Sequence, residues 1–230
     1  MFELSLLERE RLQNSIAAAL SVPFIAGVEG YVFEALFHFV KGLPLPNPHA
    51  AKRSKTLFDC VDASARIGWS LKSVQKNPAT TSFELVIQRA DIIKKRIQLE
   101  LPDLSLESTP EHLGLGILRH WNQKITADME RQGVRSARVA VLLKSNNHRL
   151  YVFLEQELRL YTAEELLWSW TDEKHTDLQA RHTTNGQIVF RWYPNQKQLF
   201  ENFNLPPLAF RFEVQPARLN VQDFLERMRS

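Results

Sequence analysis

A chain of 230 residues, 44% hydrophobic and 24% charged, has the composition of a soluble globular protein and enough length to bury a core without cross-links. Its one cysteine, Cys60, excludes an internal disulfide framework and a cysteine-rich zinc site. The same economy suits a reducing, cytoplasmic location. No run of about eighteen apolar residues is available to cross a membrane, and a net charge of +3 permits a nucleic-acid partner without requiring one.

The opening MFELSLLERERLQ is too charged to contain the apolar core of a signal peptide. Residues 4–20 predict an amphipathic helix capped by Ser5, with Leu6, Leu7, Leu12, Ile16 and Leu20 on or near one face. A second helix is expected from about Val28 to Val40, stopped by Lys41-Gly42. The proline-rich stretch LPLPNPHAAKRSK reads as a loop that ends in a basic cluster, Lys52, Arg53 and Lys55. Two apolar runs follow, TLFDCVDA and GWSLKSVQ, and read as a β-hairpin at the heart of a sheet. From Ser82, the residues Phe83, Val86, Ile87, Ala90, Ile93 and Ile97 recur at helical spacing and predict a helix. A loop at 101–110 leads to another helix over about 111–131. RVAVLLK and RLYVFLEQ read as strands, AEELLWSW as helical, and GQIVFRWYP and LAFRFEVQP as strands near the C-terminus. The order helix, hairpin, helix, strand predicts an α/β fold, a mixed sheet flanked by helices.

The informative block runs from Asp62 to Lys72. On a strand, Ser70 and Lys72 point to the same side, and the hairpin brings an aspartate of the partner strand beside them. Phosphodiester hydrolysis needs a cation to neutralise charge on the phosphate and a water made nucleophilic next to it. Asp62 suits a hard cation such as Mg²⁺, and Lys72 suits orientation of the water. The turn decides which acid takes part. Two residues at Ala65-Arg66 would set Asp59 opposite Lys72, whereas three would set Asp62 opposite Ser70.

Two motifs carry a resemblance. Gly27-Val-Glu-Gly30-Tyr-Val-Phe-Glu34 matches a G-x-x-G-x-x-x-E helix, and Asp62 through Lys72, with G-W-S-L-K-S, matches a D…G-x-E-L-K-T block. Together, over residues 27–73, they resemble the PD-(D/E)xK restriction-endonuclease-like nucleases, closest in motif to the MutH-type mismatch-repair nickases and type II restriction endonucleases. The resemblance favours Asp62 by spacing. It implies a restriction-endonuclease-like α/β/α fold in which Asp62 and the main-chain carbonyl of Leu71 hold Mg²⁺, Lys72 activates water, and Glu34 supplies a further carboxylate. Two departures stand out: no proline precedes the aspartate, and Ser70 occupies the place of the second acid. Glu84, twelve residues beyond Lys72 and in the first turn of the expected helix, is the candidate replacement as catalytic group and metal ligand.

The expected activity is therefore Mg²⁺-dependent endonucleolytic cleavage of double-stranded DNA by a type II restriction endonuclease, monomeric or homodimeric. A repair or nicking endonuclease, or a decayed DNA-binding module with Ser70 as its scar, are the alternatives. A single domain is expected, with its catalytic core over about 20–155 and a DNA-recognition part over 156–230. Contacts to DNA are expected from Lys52, Arg53 and Lys55 near the hairpin, and from Arg181, His182 and Asn185 around an Asn185-Gly186 turn. Lys94, Lys95 and Arg96 form a further basic group, and His38, His112 and His120 read as ordinary helix-face residues.

Overall fold

Ser5 opens the first helix, α1 (Leu6–Ser21), with a reciprocal cap: its hydroxyl accepts the Glu8 N–H, and the Glu8 carboxylate accepts the Ser5 N–H at 2.7 Å. Leu12, Ile16 and Leu20, four residues apart, form the buried stripe of α1. Leu6 and Leu7, expected on that face, are exposed. The second helix, α2 (Gly30–Val40), buries Val32, Phe33, Phe37 and Val40, and ends before Gly42, whose φ of +66° suits a residue without a side chain. The computed structural model describes residues 2–45, 56–77, 79–217, 219–227 and 229.

The chain divides into two compact units. The first comprises Met1–Thr80, Asp128–Leu158 and Pro206–Ser230, and the second Thr81–Ala127 and Arg159–Leu205. The expected boundary near 155 lies close to one passage between them, but residues on both sides of it contribute to each unit.

Five strands make the sheet of the first unit: β1 (Cys60–Asp62), β2 (Ile67–Gln75), β4 (Ser136–Lys144), β5 (Leu150–Glu157) and β10 (Phe210–Glu213), in the order β1-β2-β4-β5-β10. The β2–β4 pair is parallel and the others antiparallel, so this sheet is mixed. Trp69 and Leu71 of β2, Ala140 and Leu142 of β4 and Phe153 of β5 form one core with α1 and α2. The Phe37 ring meets Trp69 edge-on at 5.6 Å and stacks with Phe153 at 6.3 Å. Charge is buried in this face too. Glu155, fully buried, binds Arg138 Nη1 at 2.7 Å and the Trp69 indole N–H at 2.8 Å, with Lys41 at 3.4 Å.

The second unit carries an antiparallel sheet of β3 (Ser82–Arg89), β6 (Leu166–Trp170), β7 (Leu178–His182), β8 (Ile188–Tyr193) and β9 (Gln198–Asn204), in the order β3-β9-β8-β7-β6. Helix α3 (Pro110–Gln132) belongs to this unit up to Ala127, and a short α4 (Val221–Arg227) lies near the C-terminus. Gly114 of α3 has the Trp168 indole where a Cβ would be, so only glycine fits there.

The α/β class expected from the sequence is the observed one. Two expected helices are strands instead. Over 82–89 the buried residues are Phe83, Leu85 and Ile87, a period of two, while Val86 and Ile97 of the supposed helical stripe are exposed. AEELLWSW is a 3-10 turn, Ala163–Glu165, followed by β6, where Leu166 and Trp168 are buried and Leu167 is exposed. In both segments pairing within the sheet overrides local helix propensity. No helix of the described residues is long and apolar enough to cross a membrane.

Candidate active site

Residues 63–66 connect β1 to β2 as a four-residue turn, with Arg66 left-handed at φ 57°. This length fixes the register as Cys60↔Trp69, Val61↔Gly68 and Asp62↔Ile67. Asp62 therefore pairs five residues short of Lys72, roughly 16 Å at the usual rise of a strand. Its Oδ1 instead accepts the Ser64 hydroxyl at 2.6 Å and the N–H groups of Ser64 and Ala65, each at 2.9 Å. Those bonds, the Ser64 hydroxyl foremost, hold its carboxyl below the usual carboxylate range. The placement of Asp62 beside Ser70 is thus corrected: Asp62 caps the turn.

The aspartate beside the Ser70–Lys72 segment is Asp59. Its N–H donates to the Trp69 carbonyl at 2.9 Å, and its Oδ2 accepts the Leu71 N–H at 2.8 Å. A carboxylate is thereby fixed on the backbone between Ser70 and Lys72. Ser70 is buried and Lys72 half-buried on the strand face opposite Trp69 and Leu71. Lys72 lies level with Val141 of β4 in the parallel pair.

Helix α2 reaches the same segment. His38, buried, has Nδ1 2.7 Å from the Pro44 carbonyl and Nε2 3.4 Å from the Asp59 carbonyl. A neutral imidazole can donate to only one of these, and the shorter contact is to Pro44. Glu34 precedes His38 by four residues and so shares its helix face. Cys60, next to Asp59, is buried, and burial pushes its thiol up to about 12.

Comparison with family models, curated proteins and solved structures finds no match to this chain.

The remaining expected residues fall elsewhere. Glu84 lies in β3 of the second unit, opposite Asn202, where Arg191 pairs with it at 3.3 Å and also with Asp177 at 3.1 Å. The helical first turn that made it a candidate metal ligand is absent. Lys52, Arg53 and Lys55 lie outside the described residues. Arg181 and His182 end β7, and Asn185 stands in the tip of the β7–β8 hairpin with Gly186 at φ +67°. The Arg181 guanidinium donates to the Gly186 carbonyl at 3.1 Å, the His182 ring accepts the Thr184 N–H at 3.2 Å, and the Asn185 amide oxygen accepts the Gln187 N–H at 3.0 Å. These side chains hold the turn they sit on.

Among the described residues no three His, Cys, Asp or Glu side chains gather as a metal cage. A Mg²⁺ ion does not demand one. It keeps several waters and takes one or two carboxylates, and the Asp59 carboxylate beside the Leu71 backbone is a donor set of that kind. The length of a turn without glycine is not legible in the sequence, which left Asp59 and Asp62 both open, and the motif spacing favoured Asp62. His38, read as a helix-face residue, lies buried in α2 on the face it shares with Glu34 through their i, i+4 spacing.

Proposed function

We propose that this chain is a Mg²⁺-dependent DNA endonuclease of the PD-(D/E)xK type, with a sequence-specific restriction endonuclease as the leading form. The Asp59 carboxylate bonded to the Leu71 backbone, between Ser70 and Lys72, is the observation that carries this reading. Asp59 and the Leu71 carbonyl are the residues that would hold the ion, and Glu34, on the α2 face that carries His38, is the further acid the reading calls on. Bound there, the ion supplies charge neutralisation at the phosphate and a lowered pKa of water. Lys72 orients the attacking water and stabilises charge on the phosphoryl oxygens. Water oxygen bonds to phosphorus, the bridging P–O bond breaks, and the departing oxygen takes a proton.

Ser70 favours a second reading, a DNA-binding module that has lost catalysis, because a hydroxyl is a poor substitute for a second carboxylate at a hard cation. Incubation of the purified protein with supercoiled plasmid, in Mg²⁺ or in EDTA, separates the two. Discrete Mg²⁺-dependent fragments are expected, and Lys72→Ala is expected to lose cleavage by orders of magnitude while binding DNA in Ca²⁺ within about tenfold of wild type, about 1.4 kcal/mol. Cleavage by Lys72→Ala at the normal rate would refute the catalytic assignment. Retained DNA binding with no cleavage by the wild type would favour the module.

A further inference from the structure

The turn between β4 and β5, Ser145–Arg149, carries polar side chains that the proposed chemistry does not use. Strands β2 and β4 run parallel with Lys72 level with Val141 and Gln75 level with Lys144. The turn therefore begins about 13 Å beyond Lys72, along the same sheet.

Internal bonds decide what the turn presents. The Ser145 hydroxyl donates to Asn147 Oδ1 at 2.6 Å and accepts the Leu150 N–H at 3.0 Å, and Asn147 Oδ1 also accepts the Arg149 N–H at 3.1 Å. Asn146 Oδ1 accepts the Gln75 amide at 3.1 Å. Both amide oxygens are thus engaged, which leaves two amide NH₂ groups as outward donors. The Arg149 guanidinium has no hydrogen-bond or ion-pair partner among the described residues. His148 sits at φ 54°, its ring against Gly27, where a Cβ would come within 2.8 Å of it. A left-handed non-glycine residue and a glycine notch keep this ring in place at a cost of order 1 kcal/mol or more.

Asn147, His148 and Arg149 border a cavity of about 530 Å³ whose lining also includes Leu20, Gln215 and Pro216, all of the first unit; Asn146, the next residue along the turn, lies outside this lining. A ligand matched to it carries acceptors. One guanidinium with uncharged amide donors suits a base edge better than a phosphodiester, which draws on several cations. Guanine offers two acceptors in the major groove, O6 and N7, spaced for a bidentate arginine.

We infer that the β4–β5 turn reads base sequence, with Arg149 on the O6/N7 edge of a guanine and the Asn146 and Asn147 amides on neighbouring acceptors. The inference rests on the nuclease reading. It moves recognition from the β7–β8 hairpin, whose Arg181 guanidinium is bonded to the Gly186 carbonyl of its own turn, to the turn beside the strands that flank Lys72.

The test is selection of bound duplexes from a random-sequence DNA pool by the full chain in Ca²⁺, wild type against Arg149→Ala and Arg149→Lys, with melting temperatures measured alongside. Wild type is expected to enrich a site containing a fixed guanine. Arg149→Ala is expected to lose roughly tenfold or more of the preference at that one position, with an unchanged melting temperature and salt slope. Arg149→Lys is expected to restore it only in part, because lysine cannot bond both acceptors in the same plane. The same enriched site for wild type and Arg149→Ala would overturn the inference and leave the nuclease reading standing. Uniform weakening of all sequences, with the log-log salt slope flatter by about one, would assign Arg149 to a phosphate and overturn it equally. No duplex binding by the wild type would overturn the nuclease reading and this inference together.

Discussion

Exchanging one acid at a time at Asp59 and Asp62 separates the register found in the structure from the one the motif spacing suggests. Asp59→Asn preserves an acceptor for the Leu71 N–H, now 2.8 Å from Oδ2. Through this contact folding should therefore lose the charge-assisted share of a partly buried bond, about 1 kcal/mol. Catalysis loses far more, because the carboxylate charge on a hard cation disappears. A loss of about 3–4 kcal/mol of transition-state stabilisation corresponds to a rate lower by roughly 10²–10³. Asp62→Ala reverses the pattern: three bonds that hold an exposed turn disappear, which costs stability about 1 kcal/mol and leaves the cleavage rate near wild type. Single-turnover cleavage of supercoiled plasmid, with thermal unfolding of each variant, measures both effects. Wild-type cleavage by Asp59→Asn, or abolished cleavage by a folded Asp62→Ala, would show that the register argument picks the wrong acid.

Two further outcomes concern stability. Glu155→Gln leaves Arg138 and Lys41 beside a neutral group in the core, so urea unfolding should show a loss of about 3–5 kcal/mol; a loss under 1 kcal/mol would mean the cluster is dispensable. Glu201 is buried, and burial pushes its carboxyl up to about 8. The unfolded chain releases that proton near the ordinary value of 4.5, so between there and pH 8 the folded state binds more protons and stability falls as pH rises. The single-group limit is about 1.4 kcal/mol per pH unit, and Glu201→Gln should remove this slope; an unaltered pH profile would exclude Glu201 as its source.

How much was legible varies with the distance over which a residue is decided. The Ser5 cap, the α1 stripe from Leu12 to Leu20 and the stop at Gly42 are local, and all three were readable from spacing and residue type. The strands β4 and β5 were also evident, since their runs of Val, Leu, Tyr and Phe fit a sheet buried on both faces. Residues 82–89 offered both periods at once, Phe83-Leu85-Ile87 for a strand and Phe83-Ile87-Ala90 for a helix. Pairing with β9, more than a hundred residues away, settles it. At the candidate site, the shared strand face of Ser70 and Lys72 was legible from alternation alone. The partner acid was not, because it depends on a four-residue turn whose left-handed position is Arg66 instead of the glycine or asparagine that would have announced it. Glu84 was misplaced for the same long-range reason: its surroundings are set by β9 and by Arg191 on β8.

The interleaving of the two units has a consequence for biosynthesis. The sheet that bears Ser70 and Lys72 takes one of its two edge strands, β10, from Phe210–Glu213, after the last residue of the second unit, Leu205. As the chain leaves the ribosome, the second unit has all its residues before the first can add β10 to its sheet. The parallel β2–β4 pair must also wait for the intervening sixty residues, 76–135, to be made, and their closure entropy is repaid only when β4 docks. Hydrophobic strands of the first unit therefore spend the longest time without their partners during synthesis. That interval is when this protein is most open to aggregation and most dependent on chaperones.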